Sequence, residues 1–384
     1  MNFRNTFAQR TRIGHGLLCS ALLCLLGCAD SGDTLPPSEA PTRLNHLQYL
    51  GTHNSYHIEL RADLLDLLRA FDPDLAASLE YSHLPLDEQF SRQGIRQIEL
   101  DIFHDPEGGL YATRRALALI EEDTASGIPE LDRPGLKVLH VQEVDYETTC
   151  FTFVACLTVV KAWSDDNPGH LPIMILVEAK DDPIPDPVNL DFTVPLPVDH
   201  VMLDTIDTEI RSVFPDERII LPDGVRGASV TLEQAILENG WPTLDEARGK
   251  VLFALDNGGD VMQMYIDGHP SLEGRVLFTS APAGTAEAAF MKLNNPLGEP
   301  GRIEEFVRQG YLVRTRADSD TTQSRENDPT QRDAALASGA HYISTDYPEP
   351  NLEFSDYRVQ FPEGTIARCN PVNPGTCTTA DLAP

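Results

Sequence analysis

Cationic side chains are scarce in this sequence. Lys and Arg together number 29 against 60 Asp plus Glu in 384 residues, a formal net charge of −31. A protein that grips a phosphate backbone needs clustered Lys and Arg, so this composition excludes a nucleic-acid partner. It equally excludes attachment to an anionic membrane by bulk charge. Long hydrophobic runs are missing as well. The apolar run at 16–27 (GLLCSALLCLLG) is too short to span a bilayer, and no transmembrane helix is expected after it. Nucleotide-binding loops are missing too: neither GxGxxG nor GxxxxGK[ST] follows an apolar run. What is present is 41% hydrophobic residues, enough for a sizeable core. The length allows one large domain or two small ones.

The N-terminus reads as an export signal. Arg4, Arg10 and Arg12 precede the apolar run, and no acid occurs before Cys28. The run ends in Leu25-Leu26-Gly27-Cys28, which resembles a bacterial lipobox, where the cysteine is lipidated and becomes the new N-terminus. Residues 1–27 are therefore expected to be a lipoprotein signal peptide, with Cys28 anchoring the exported protein to a membrane. The alternative is an ordinary cleaved signal and a secreted protein. Residues 28–45 form a Pro/Ser-rich tether. Cleavage before Cys28 leaves 26 Lys plus Arg against the same 60 acids, a net −34. Cys19, Cys24 and Cys28 belong to the export segment, leaving Cys150, Cys156, Cys369 and Cys377 in an oxidising compartment. Of the three connectivities, the expected one is local, Cys150–Cys156 with Cys369–Cys377. Neither pair has CxxC spacing, which argues against zinc.

Eight short apolar runs recur, at 47–51, 95–102, 137–141, 173–177, 251–255, 275–279, 311–315 and 341–344. Amphipathic stretches lie between them, at 59–71, 86–93, 157–164, 201–213, 303–309 and 331–338. Buried strands alternating with helices predict a parallel α/β fold, and eight strands predict a (β/α)8 TIM-like barrel, allowing for distortion. The rival is a doubly wound open sheet. The connection from the fourth to the fifth strand is long, and its first part, DDPIPDPVNLDFTVPLPVDH, carries five prolines that exclude regular helix. It is expected to be an ordered loop, not a second domain. The catalytic barrel is expected over 46–347, and residues 348–384 form a Pro-rich, disulfide-stapled extension that wraps it.

Catalytic groups of such barrels sit at the C-terminal ends of strands. The first run ends in Gly51-Thr52-His53-Asn54-Ser55-Tyr56, the second carries Glu99-Leu100-Asp101, the third ends at His140, and the fourth at Glu178-Ala179-Lys180. Glu99 and Asp101, at i and i+2, share one face of a strand. Two carboxylates in one barrel mouth repel unless a cation bridges them. Asn54 and Glu178 add oxygen donors, and an all-oxygen set with no thiolate favours Ca²⁺ over zinc, with Mg²⁺ harder to exclude. His53 and His140 are the groups that acid–base phosphoryl transfer needs. The other histidines, His57 among them, are read as surface or structural. Lys180, Arg314 and Arg316 are cations at strand ends, placed to hold an anionic group.

His53-Asn54-Ser55-Tyr56, Glu99-x-Asp101, His140 and Glu178, in this order, resemble the catalytic X-barrel of phosphatidylinositol-specific phospholipases C. The segments LGTHNSYH, RQIELDIFHDPEGG, LPIMILVEAKDD and GYLVRTRADSD are similar to its secreted, calcium-dependent bacterial branch. The resemblance runs from about Leu47 to Tyr347. It implies His53 and His140 as the catalytic pair and Asn54, Glu99, Asp101 and Glu178 as Ca²⁺ ligands. It further implies an inositol phospholipid substrate at a membrane surface, cleaved to diacylglycerol and inositol (cyclic) phosphate; a monomer is expected. No lysine cluster reads a polyphosphorylated inositol, so plain phosphatidylinositol or a related phosphodiester is expected. Two rivals stand beside this reading. A glycerophosphodiester phosphodiesterase shares the barrel and the ExD pair but normally shows His-Arg-Gly where this chain has His53-Asn54-Ser55. A non-catalytic calcium- or lipid-binding lipoprotein would not need the histidine pair.

Overall fold

Strands form in this chain where leucine- and β-branched-rich runs can be covered on both faces, the situation of a parallel sheet wrapped by helices. The computed structural model describes residues 40–298 and 301–382. Its strands are β1 (Leu47–Thr52), β2 (Gln97–Phe103), β3 (Lys137–Val138), β4 (Ile173–Lys180), β5 (Val251–Leu255), β6 (Leu277–Thr279), β7 (Phe290–Lys292), β8 (Leu312–Arg316), β9 (Tyr342–Thr345) and β10 (Ala367–Cys369). Eight of them follow the order β6-β5-β4-β2-β1-β9-β8-β7. Every pairing along this path is parallel. Among the described residues no ladder joins β6 to β7, so the barrel is nearly closed rather than closed.

Eight is the expected number, but one member differs. The run at 137–141 is not a barrel strand: β3 pairs antiparallel with the end of β2, Ile102 opposite Val138. A parallel return needs a helical crossover. Between β2 and β3 the chain forms only the 3₁₀ segment Arg115–Ile120 among its helices, so it folds straight back. The missing barrel strand is β7, three residues ending in a lysine after a Pro/Gly-containing stretch, too short and too polar at its end to stand out.

The amphipathic stretches become the outer helices. Helix His200–Val213 shows why: Met202, Leu203, Ile206 and Ile210 make its buried stripe, and Asp199 caps it by accepting from the Met202 amide. The Pro-rich segment ahead of it has no helix or strand, as expected, and the rest of the β4–β5 connection adds the short helices Pro222–Arg226, Leu232–Glu238 and Leu244–Ala247. Inside the barrel base the Tyr49 and Tyr342 rings stack at 5.3 Å.

The fold takes in residues on both sides of the expected barrel. Leu44 and Asn45 are buried. In the C-terminal segment Tyr357, Val359, Phe361 and Ala367 are buried, and β10 pairs antiparallel with the start of β1, Leu47 opposite Cys369. Cys150 is bonded to Cys156 and Cys369 to Cys377, with Cα atoms 5.3 and 5.6 Å apart. The export segment at 1–27, Cys28 and most of the tether lie outside the described residues. No helix of the described residues is long and apolar enough to cross a membrane.

Candidate active site

The mouth of the barrel is built first by the turn after β1. The Ser55 amide donates to the Glu99 carbonyl at 3.0 Å, and Ser55 Oγ accepts from the Glu99 amide at 2.8 Å. This stitches the turn to β2. Asn54 adopts φ +43°, the left-handed region that asparagine tolerates better than most residues. His53 is thereby placed beside Glu99.

Glu99 and Asp101 occupy one face of β2, and parallel register sets Glu178 of β4 opposite Asp101. One carboxylate oxygen from each of the three lies within 4.8 Å of the others. Burial pushes Glu99 up to about 7; Arg314 opposes the shift, while Asp256 and Glu178 add to it. Asp101 is raised well above the carboxylate range by burial and then by Glu178. Such crowding disfavours ionisation unless a cation is shared. Two acceptors support that reading: Asn54 Oδ1 and Asp101 Oδ1 are buried without a hydrogen-bond partner. Asn54 Nδ2 donates to Tyr81 Oη at 3.1 Å, which leaves the amide oxygen as the open atom. Asn54, Glu99, Asp101 and Glu178 thus fit a hard, oxygen-seeking cation such as Ca²⁺.

The cations at the mouth are already paired. Arg314 is buried; its Nη2 donates to Glu99 Oε2 and its Nη1 to Asn294 Oδ1, both at 2.5 Å. Glu99 Oε1 is left facing His53 Nε2 at 3.8 Å. Lys180 Nζ lies 3.3 Å from Asp101 Oδ2 and 3.6 Å from Glu178 Oε2. Arg316 reaches Asp346 Oδ2 at 3.6 Å and donates from Nε to the Asp318 carbonyl at 3.1 Å. Lys180 and Arg316 keep 23% and 15% of their side-chain exposure, whereas Arg314 keeps 1%.

Each of the two histidines leans on a buried aspartate. His53 Nδ1 is 3.0 Å from Asp346 Oδ1, and Arg316 Nη2 lies 3.3 Å from the same nitrogen. Asp346 is buried, yet His53 and Arg316 hold it at about 2, so it is ionised and can only accept. Nδ1 therefore carries the proton and donates to Asp346, and Nε2 is the open nitrogen. Burial, with the Arg316 guanidinium beside it, holds His53 well below its ordinary value and so neutral. His140 Nδ1 donates to Asp145 Oδ2 at 2.6 Å. Asp145 is buried, but His57 and His140 keep it at about 2. His140 comes from the loop after β3, not from a barrel strand.

Asp346, Asp145, His57 and Tyr81 are the neighbours that the sequence reading left out. Asp346 follows β9, a polar residue where an apolar run stops, the signal used for the first four runs but not for the eighth. Asp145 lies in a turn closed by the Val141 and Asp145 backbone, with no pattern to mark it. His57, read as surface or structural, is fully buried against Asp145. At the far side of the mouth Lys292 of β7 pairs with Asp256, which follows β5.

These features can be set beside known proteins. Nothing among the curated proteins matches. A crystal form of a calcium-dependent phosphoinositol-specific phospholipase C from the Gram-negative bacterium Pseudomonas sp. superposes with a TM-score of 0.51 at 15% identity, covering 87% of this chain and 97% of that one. A myo-inositol complex of a protein with the same description gives 0.50, with the same identity and coverage. A Ca²⁺-dependent phosphatidylinositol-specific phospholipase C from Streptomyces antibioticus gives 0.49 at 16% identity, over 80% of this chain and 95% of that one. At such identities the likeness concerns the fold. The family model of Ca²⁺-dependent phosphoinositide phospholipase C matches residues 42–371, most of the chain. This chain therefore belongs to the Ca²⁺-dependent phosphoinositide phospholipase C family, a family of phosphodiesterases.

Proposed function

We propose that the protein cleaves phosphatidylinositol, or a related inositol phospholipid, to diacylglycerol and an inositol cyclic phosphate. The observation that carries this reading is the grouping, in one barrel mouth, of an all-oxygen cation set with two histidines, each held at Nδ1 by an ionised aspartate. His53, kept neutral with Nε2 open, takes the proton of the inositol 2-hydroxyl as that oxygen attacks phosphorus. Asp346 fixes its tautomer and steadies the imidazolium that results. His140, backed by Asp145 at Nδ1, serves as the acid that gives a proton from Nε2 to the departing diacylglycerol oxygen. Asn54, Glu99, Asp101 and Glu178 would hold Ca²⁺, which when bound would lower the pKa of the 2-hydroxyl and neutralise phosphate charge. Lys180 and Arg316, the partly exposed cations, contact the phosphodiester, and Arg314 holds Glu99 in place.

The domain reading belongs to the same proposal: a lipoprotein signal at 1–27, an anchor at Cys28, a tether at 28–45, the barrel over 46–347 and the extension to residue 384. The two disulfides agree with an oxidising compartment. Phosphorus NMR of the products from phosphatidylinositol, with and without Ca²⁺, tests the chemistry. A cyclic inositol phosphate that needs Ca²⁺ is the expected result. Glycerol 3-phosphate and a free alcohol in its place would overturn it.

A further inference from the structure

His57 lies three residues beyond Asn54 and has no role in the scheme above. It is fully buried, and its Nε2–H points at both oxygens of Asp145, 3.0 Å from Oδ1 and 2.9 Å from Oδ2. Asp145 Oδ2 is also the acceptor for His140 Nδ1. One carboxylate thus serves two imidazoles whose rings stand edge to face, with centroids 5.6 Å apart at 84°. His57 is itself seated on three sides. Its amide donates to the Asn54 carbonyl at 2.9 Å, its carbonyl accepts from the His83 amide at 2.9 Å, and its ring stacks on Tyr81 at 4.3 Å.

The geometry has a mechanical consequence. Asp145 sits on a turn outside the barrel, and a carboxylate with one hydrogen-bonded partner is free to pivot about χ2. A second donor that grips both oxygens beside the His140 bond removes that freedom. It sets the carboxylate plane and with it the direction of the Oδ2 to Nδ1 bond. A ring held at Nδ1 in one direction presents Nε2 in one direction. Misplacement of a catalytic group by about 1 Å costs on the order of a hundredfold in rate, so this constraint bears on turnover.

We propose that His57 is a positioning residue for the phosphodiester cleavage: it clamps Asp145 so that His140 presents Nε2 to the leaving oxygen. The proposal rests on the assignment of His140 as the acid. A histidine that only fills a buried slot is replaceable by phenylalanine, which keeps a ring against Tyr81 but has no Nε2–H. Glutamine lacks the ring but can place an amide N–H near Asp145.

The experiment is steady-state hydrolysis of phosphatidylinositol vesicles at saturating Ca²⁺ by wild type, His57→Phe, His57→Gln and His140→Ala, with thermal unfolding followed for each. His57→Phe is expected to lose about 10- to 100-fold in kcat with KM within about twofold, and His57→Gln to recover to within about fivefold of wild type. A folded His57→Phe with wild-type kcat, beside an inactive His140→Ala, would overturn the proposal and leave the phospholipase reading intact. If His57→Phe does not fold, His57→Gln decides: retained kcat supports the clamp, and a loss above about 100-fold overturns it. A fully active His140→Ala would instead overturn the underlying assignment, and this proposal with it.

Discussion

Histidines occur at both ends of the barrel, and they use their ring nitrogens differently. At the base, ahead of β9, His341 accepts from the Val313 amide at Nδ1 and donates from Nε2 to the Asn45 carbonyl, each at 3.0 Å. Both nitrogens are committed to main chain, and burial holds the ring at about 4, neutral and closed to exchange. His170, ahead of β4, is likewise tied on both sides, to Ser164 Oγ and to the Leu171 carbonyl. At the mouth, His53 and His140 each commit Nδ1 to an ionised aspartate, and Nε2 has no hydrogen bond among the described residues. The base histidines have both nitrogens committed to uncharged partners. The mouth histidines are half-engaged, polarised by a carboxylate and open on the other nitrogen. The base histidines are buried and the mouth pair only half-buried, and the open nitrogen and the nature of the partner separate them further.

The sharpest way to break this contrast is substitution at each end. His53→Ala and His140→Ala are expected to lower kcat by about 10²–10⁴ with little change in Ca²⁺ affinity, measured by calorimetry. His341→Ala should lower stability and leave kcat per folded molecule near wild type. Equal losses of kcat at both ends would erase the distinction drawn above.

The mouth should also respond to calcium where the base does not. Chelation is expected to abolish activity, with Ca²⁺ restoring it better than Mg²⁺; turnover indifferent to chelator would remove the cation from the scheme. In calcium-free protein the pH dependence has a defined sign. Glu99 has a folded pKa raised to about 7, so it contributes stability while protonated, and that contribution is lost as pH rises from the ordinary carboxylate range through about 7. In chelator, Glu99→Gln should therefore exceed wild type in unfolding midpoint by more at pH 8 than at pH 5.5, a comparison in which the buried histidines cancel, and Ca²⁺ should narrow the pH 8 gap. Asp101→Asn should remove the calcium-dependent shift in midpoint, because it takes one carboxylate out of the proposed cation set.

Smaller effects are expected away from the mouth. Removing the Cys369–Cys377 bond, which closes an eight-residue separation, should cost about 2.5 kcal/mol of stability with kcat unchanged. Thr231→Ala deletes the cap of helix Leu232–Glu238, where the hydroxyl accepts from the Gln234 amide, and should cost about 1 kcal/mol by denaturant titration. A change in kcat from either substitution would show that the two ends are coupled.

Much of the architecture was legible as pattern. Seven of the eight runs correspond to barrel strands because each carries its own hydrophobic signal over several residues. β7 did not, since three residues carry too little pattern, and β3 misled, since an apolar run says nothing about strand direction. Among the site residues, Glu99 with Asp101 was legible from strand period alone, and Glu178 from its place where a run ends. The neighbours of the histidines were not legible. Asp145 and His57 are 88 residues apart in sequence and Asp346 and His53 are 293 apart, so no local rule pairs them.

The sequence by itself determined the scarcity of cations, the alternating α/β pattern and the oxygen-only character of the candidate cation set, because composition, period and side-chain chemistry are properties of single residues and their near neighbours. Only the tertiary structure decided which strand completes the barrel, that Arg314 is committed to Glu99, and that each open histidine is backed by an aspartate. Those are pairings between segments far apart in the chain, and they exist only once the parallel register of the barrel has brought the strand ends to one mouth.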